Sequence, residues 1–221
     1  MPEIDLTIDK LTVTAIRLNE SVVIDGVLSE SVWQNGHGVN KFRQRDPIEN
    51  AEPTEKTEVR VAYDDQAIYV GARMHDSAPD SIIARLARRD ADVSSDYIAV
   101  FIDPYYERRS GFYFALTAAG TLWDGVLMND DWDDNSWDGV WESDCRRQPW
   151  GWSAEIKIPY HCVRFTEQPE QTWGVDFCRV INRRAEVSRW AFTPEREGGY
   201  TSKFGHLTGL TNIKPATHLQ V

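Results

Sequence analysis

Apolar and polar residues alternate with a period of two through most of this chain. TEVRVAYD (57–64) and AIYVGARM (67–74) change face at each step, and Asp64–Asp65–Gln66 between them reads as a hairpin turn. DYIAVFID (96–103) reads as a strand that Pro104 ends. GFYFALTAAG (111–120) and TLWDGVLM (121–128) form a second pair, bent at Ala119–Gly120. GVWESDCRRQ (139–148) and GWSAEIKIP (151–159) meet at Pro149, Trp150 and Gly151. WGVDFCRVINRR (173–184), SRWAFTP (188–194) and FGHLTGLTNI (204–213) complete the set. About ten short strands at even spacing predict an all-β fold, an antiparallel β-sandwich of immunoglobulin-like or jelly-roll-like kind.

Helical periodicity is confined to two places. SESVWQNG (29–36) reads as one capped turn, with Ser29 as N-cap and Gly36 as stop. PDSIIARLARRD (79–90) carries Pro79 in its first turn and Ile82, Ile83 and Leu86 at three-to-four spacing, and predicts a helix. Residues 40–56 are polar and contain proline. They read as a long surface loop inside one domain, because the strands on both sides need partners.

Charge narrows the partners. The 221 residues carry 35 acids against 24 bases, a net charge of −11, and nucleic acid would demand the opposite sign. No window approaches the roughly 18 apolar residues of a membrane-spanning helix. MPEIDLTIDKL, the start, has acids where a signal peptide needs a basic end and an apolar run, so no signal peptide is expected within this chain. The cysteines Cys145, Cys162 and Cys178 form no CxxC pair, and their odd number leaves at least one unpaired within the chain.

The unusual passage is NDDWDDNSWDGVWESD (129–144), which holds three tryptophans and seven carboxylates. Asp134, Ser136 and Asp138, followed by Gly139, match the first half of a helix-loop-helix calcium loop. The match then fails, because Cys145 stands where the bidentate Glu belongs and Asp144 is one position short. Asp134, Ser136, Asp138 and Asp144 are therefore candidate ligands for calcium of another kind, against the commoner reading of a solvated acidic tip. Aromatic planes ringed by carboxylates also suit sugar rings, which present apolar C–H faces between hydroxyls. Trp132 and Trp137 are the exposed candidates, while Trp141 and Trp190 fit either role. Trp33, Trp123, Trp152 and Trp173 are assigned to packing. Catalytic signals are poor: there is no GxSxG, no HExxH and no phosphate loop. His75, His161 and His206 are isolated and read as structural.

With the strands laid out, IDGVLSESVW (24–33) resembles the opening of carbohydrate-binding module family 9 domains, which read Ile-Asp-Gly-x-Leu-x-Glu-x-x-Trp. EVRVAYDDQAIYVG (58–71), RRDADVSSDYIAVFIDP (88–104), GFYFALTAAGTLWDG (111–125), GWSAEIKIPY (151–160), WGVDFCRVINRR (173–184) and FGHLTGL (204–210) follow in order. The resemblance spans about residues 21–213 of a single domain, 1–221. It implies a non-catalytic β-sandwich that binds carbohydrate by clamping a terminal ring between two tryptophans, with structural calcium. Trp137 or Trp141, together with Trp190, is the expected clamp. Of the matched arginines, Arg179 or Arg183 is expected to pair with buried carboxylates such as Asp96 or Asp103. The chain is similar to domains at the N-terminus of larger, exported bacterial proteins, ahead of a membrane-barrel-like region. Two rival classes remain. One is an interaction domain that docks on such a barrel without a sugar. The other is a haem-carrying sandwich, for which Met74, Met128 and the histidines are the only axial stock.

Overall fold

A computed structural model describes residues 11–35 and 38–216. Its strands in chain order begin with β1 (Thr12–Thr14), β2 (Ile16–Arg17), β3 (Arg43–Asp46), β4 (Thr57–Tyr63) and β5 (Ala67–His75). Next come β6 (Tyr97–Asp103), β7 (Gly111–Thr117), β8 (Leu122–Met128), β9 (Trp132–Asp134) and β10 (Glu142–Gln148). The last four are β11 (Gly151–Pro159), β12 (Glu170–Ile181), β13 (Glu186–Arg189) and β14 (Gly205–Thr211). They form two sheets packed face to face. The larger has nine strands in the order β1-β14-β12-β6-β7-β8-β9, with β13 and β3 continuing from the far half of β12. The smaller has five, β10-β11-β5-β4-β2.

The expected sandwich is what the chain builds, and the period-two pattern is its cause. Ile98, Val100 and Ile102 of β6 and Phe114 and Leu116 of β7 point inward. Val59 and Val61, Ile68, Val70 and Ala72, and Trp152, Ala154 and Ile156 meet them from the smaller sheet. Pairing is antiparallel except at two edges, where β1 lies parallel to β14 and β2 parallel to β4. A single residue, Ala15, separates β1 from β2, so the chain steps from one sheet's edge to the other's across the buried Val13 and Ala15.

Three expectations need correction. The segment 79–90 is not a helix: one 3-10 turn (Pro79–Ser81) is followed by extended chain. Its backbone is taken by neighbours instead. Asp96 N donates to the Ile83 carbonyl, Arg85 N to Ser95 Oγ and Ala87 N to Thr121 Oγ1. Ile82 enters the core while Leu86 is 80% exposed, which a helix with both on its apolar face would not allow. In the 29–36 turn, the helix α1 (Ser31–Gln34) has Glu30 rather than Ser29 at its N-cap, and Gly36 lies outside the described residues. The 40–56 loop contains β3, which extends the larger sheet through β13.

The smaller sheet's outer face is sealed by residues 24–34. Trp33 Nε1 donates to Glu155 Oε1 at 2.8 Å, and the amides of Asp25 and Gly26 donate to Glu155 Oε2 at 3.0 and 2.9 Å. The Trp33 ring lies so close over Gly71 that a Cβ there would meet it at 2.6 Å. The Ile-Asp-Gly…Trp signature is thus a fastening onto β11 and β5. At one end of the sandwich Arg183 grips Asp76 through two 2.8 Å bonds, with Asp96 3.9 Å away. Arg179 instead donates to the carbonyls of Lys56 and His75 and to Thr57 Oγ1. Asp103 accepts the Arg108 amide.

Candidate functional site

The outer face of the larger sheet is not a plain solvent face. DYIAVFID and GFYFALTAA are apolar on both sides of the strand, and their outward residues line a cleft of about 590 Å³. Register fixes its floor. Arg189, Cys178, Ala99, Ala115 and Trp123 stand in one row across β13, β12, β6, β7 and β8. The three small side chains in the middle of that row form a trough. Beside it runs the row of Asp176, Phe101 and Tyr113.

The trough's walls are aromatic and held. Tyr97 meets Trp123 edge-on at 5.1 Å between ring centroids, and Trp123 Nε1 donates to the Ala91 carbonyl at 3.0 Å. Arg189 stacks on Tyr200 at 4.1 Å and on Phe101 at 4.9 Å, while its Nε donates to Asp176 at 2.8 Å. Burial weakens the Arg189 charge, but Asp176 and Tyr200 outweigh it and hold the guanidinium above its ordinary value. Burial likewise pushes the Tyr97 and Tyr200 phenols up, so both keep their protons and can donate. The far wall is the 193–201 loop. Asp130 ties it to the β8–β9 turn, accepting the amides of Tyr200 at 2.9 Å and Ser202 at 2.7 Å. Burial would raise the Asp130 carboxyl, yet these donors bring it below the usual carboxylate range.

The tryptophans of the acidic stretch go to three different places. Trp132 stands on the edge strand β9 at the cleft rim, 56% exposed. Trp137 packs on Phe112 and Phe114 at the sandwich's edge. Trp141, 6% exposed, meets Phe114 in the core, and Trp190, 3% exposed, packs on Phe177 there. Trp123, assigned to packing from the sequence, lines the cleft, whereas Trp33, Trp152 and Trp173 are buried. Tyr97, Tyr113, Asp176, Arg189 and Tyr200 were not singled out in the sequence. Their signal was the unbroken apolar run of β6 and β7, which a strand with one wet face would not carry.

The acidic ligand candidates also separate. Asp134 Oδ1 accepts the Ser136 amide within its own turn, and Asp144 accepts the Cys145 amide on β10, in the other sheet. Asp138 joins Asp90 and Asp124, and the three bring carboxylate oxygens within 4.8 Å of one another. This triad could hold a metal ion. Arg89 competes for it: its Nε lies 3.1 Å from Asp124 Oδ1, 3.2 Å from Asp138 and 3.4 Å from Asp90. Calcium takes about six to eight oxygen ligands, so an ion here would have to displace the guanidinium and recruit more donors. Burial, then Asp124 and Asp138, hold Asp90 above the usual carboxylate range.

The sequence pattern of the family described as carbohydrate family 9 binding domain-like matches residues 24–210, most of the chain. The chain belongs to this family. No protein with a curated description matches the domain in sequence. Among solved structures, it is similar to a family 9 carbohydrate-binding module from Caldicellulosiruptor kristjanssonii in complex with glucose. The two are 16% identical, with a TM-score of 0.60 over 94% of this chain and 97% of that one. The same kind of module in complex with cellotriose gives 15% identity and a TM-score of 0.60 over 96% and 97%. A proposed carbohydrate-binding protein from Bacteroides uniformis gives 12% identity and a TM-score of 0.68 over 90% and 99%. At these identities the likeness establishes a shared fold, and the family 9-like domain is of a binding kind.

Proposed function

We propose that this family 9-like domain binds carbohydrate without catalysing a reaction, and that the cleft above β6, β7 and β12 is where the chain sits. One observation carries the reading: an aromatic trough whose volume falls within the roughly 300–1,000 Å³ of small-ligand sites, with the open ring of Trp132 at its rim. Trp132 and Trp123 would offer ring faces to the C–H face of a sugar, and Tyr97, Tyr200 and the rim carboxylates Asp131 and Asp133 the donors and acceptors for its hydroxyls. That related modules are seen with glucose and cellotriose supports a β-linked glucose chain as the first ligand to try. Calcium belongs to the proposal only through the Asp90–Asp124–Asp138 triad. Export, and attachment to a membrane-barrel-like region, rest on the resemblance of the sequence.

Isothermal titration with glucose, cellotriose and xylotriose, in calcium and again in EDTA, tests the reading. Saturable heat that Trp132→Ala abolishes is the expected result. Heat unchanged by Trp132→Ala would move the site elsewhere. A flat response to all three sugars would sink the reading for these ligands and favour the interaction domain.

A further inference from the structure

The charge of the cleft bears on which sugar it takes. Asp131, Asp133, Asp176, Glu195 and Glu197 line it, against Arg45 and Arg189. Two of these acids are already engaged: Asp176 holds Arg189 at 2.8 Å, and Glu197 meets Lys203 at 3.1 Å. Asp131, Asp133 and Glu195 then share the cleft with Arg45 alone. Asp133 also acts on the floor, since burial and then this carboxylate push the Tyr113 phenol up to about 12. Thr201, fully buried at the cleft wall, has a hydroxyl with no hydrogen-bond partner among the described residues.

Excess carboxylates beside electron-rich ring faces attract a cation from two directions, by charge and by the ring quadrupole. The same arrangement repels a uronic acid. A neutral sugar gains the ring contacts and the hydroxyl hydrogen bonds but none of the charge attraction. A net charge of −11 over the chain adds to the field at the mouth.

We propose that the cleft prefers a sugar chain carrying protonated amines, of the β-1,4-linked glucosamine class, over its neutral counterpart. This rests on the carbohydrate reading of the same site and deepens it. The glucosamine trimer suits a test because it differs from cellotriose only in bearing an ammonium in place of each 2-hydroxyl. The chain is titrated calorimetrically with both trimers near pH 6, at low salt and at about 1 M salt, where the screening length is about 3 Å. The expected result is binding of the amine about tenfold tighter at low salt, converging on cellotriose at high salt. In the double variant Asp133→Asn/Glu195→Gln, the ratio of the two affinities should fall toward one. Spermidine, a cation without sugar rings, should bind more weakly than the glucosamine trimer. Equal or weaker binding of the amine, with cellotriose still bound, overturns the preference and leaves the carbohydrate reading standing. Spermidine binding as tightly as the trimer also overturns it, because charge alone would then suffice. No heat with either trimer overturns both.

Discussion

Trp132 and Trp141 lie nine positions apart in the same acidic stretch, and burial gives them opposite work. Trp141 fills core space against Phe114, so Trp141→Ala should cost about 3–5 kcal/mol in urea unfolding. Trp132→Ala removes a ring that already faces water and should change stability by less than about 0.5 kcal/mol. Similar losses in both would mean that Trp132 is a packing residue. Glu155 is the other decisive side chain, fully buried under Trp33 and accepting three N–H groups. Burial drives its carboxyl from 4.5 up to about 7, against the pull of those donors. A carboxyl raised on folding lets the native chain keep a proton that the unfolded chain releases. Its stabilising share is therefore complete below pH 4.5 and is lost as the pH rises through about 7. The stability gap between wild type and Glu155→Gln should shrink across that window. A gap that widens would show that the N–H donors, not burial, govern the group.

Elements carry most of what the sequence made legible. The strands β4, β5 and β11 read cleanly because the large apolar residues at alternate positions face the core, although residues 24–34 bury much of their outer face as well. Segment 79–90 misled because Ile82, Ile83 and Leu86 mimic a helical face. Its backbone groups bond across to Ser95, Asp96 and Thr121, contacts no local spacing reveals. The cleft was hidden for a related reason: its residues are gathered by register across five strands, and only the double-sided apolar runs hint at it. The short edge strands β1, β2, β3 and β9 left no trace, having too few residues to show a period. Turns offer a direct test of these contacts. Gly26, at φ +76°, has Cys145 backbone 2.6 Å from where a Cβ would stand, and Gly120, at φ +87°, has nothing within 4 Å. Both alanine variants bear the left-handed strain of about 1–2 kcal/mol. Gly26→Ala should cost clearly more, since it also forces the Asp-Gly turn away from β10 and Glu155. Equal losses in thermal unfolding would show that the fastening tolerates movement.

At the scale of the molecule, the two outer faces of the sandwich have different fates. The smaller sheet is closed by residues 24–34, with Leu28, Val32 and Trp33 against Ala62, Ala67 and Tyr69. The larger sheet is only partly covered, by the 193–201 loop and the β9 edge, and the uncovered part is the cleft. The first arrangement shows what the family signature does: it fastens residues 24–34 onto β11 and β5. The second gathers cleft residues scattered from Arg45 to Thr201, which the proposed function assigns to recognition. The most direct test uses the nine tryptophans, each of which gives one indole N–H signal in a nitrogen–proton NMR spectrum. On titration with cellotriose, the signals of Trp132 and Trp123 should shift together and saturate, while those of Trp141 and Trp190 stay in place. Shifts confined to Trp137, Trp141 or Trp190, with Trp132 and Trp123 still, would contradict the cleft as the sugar site.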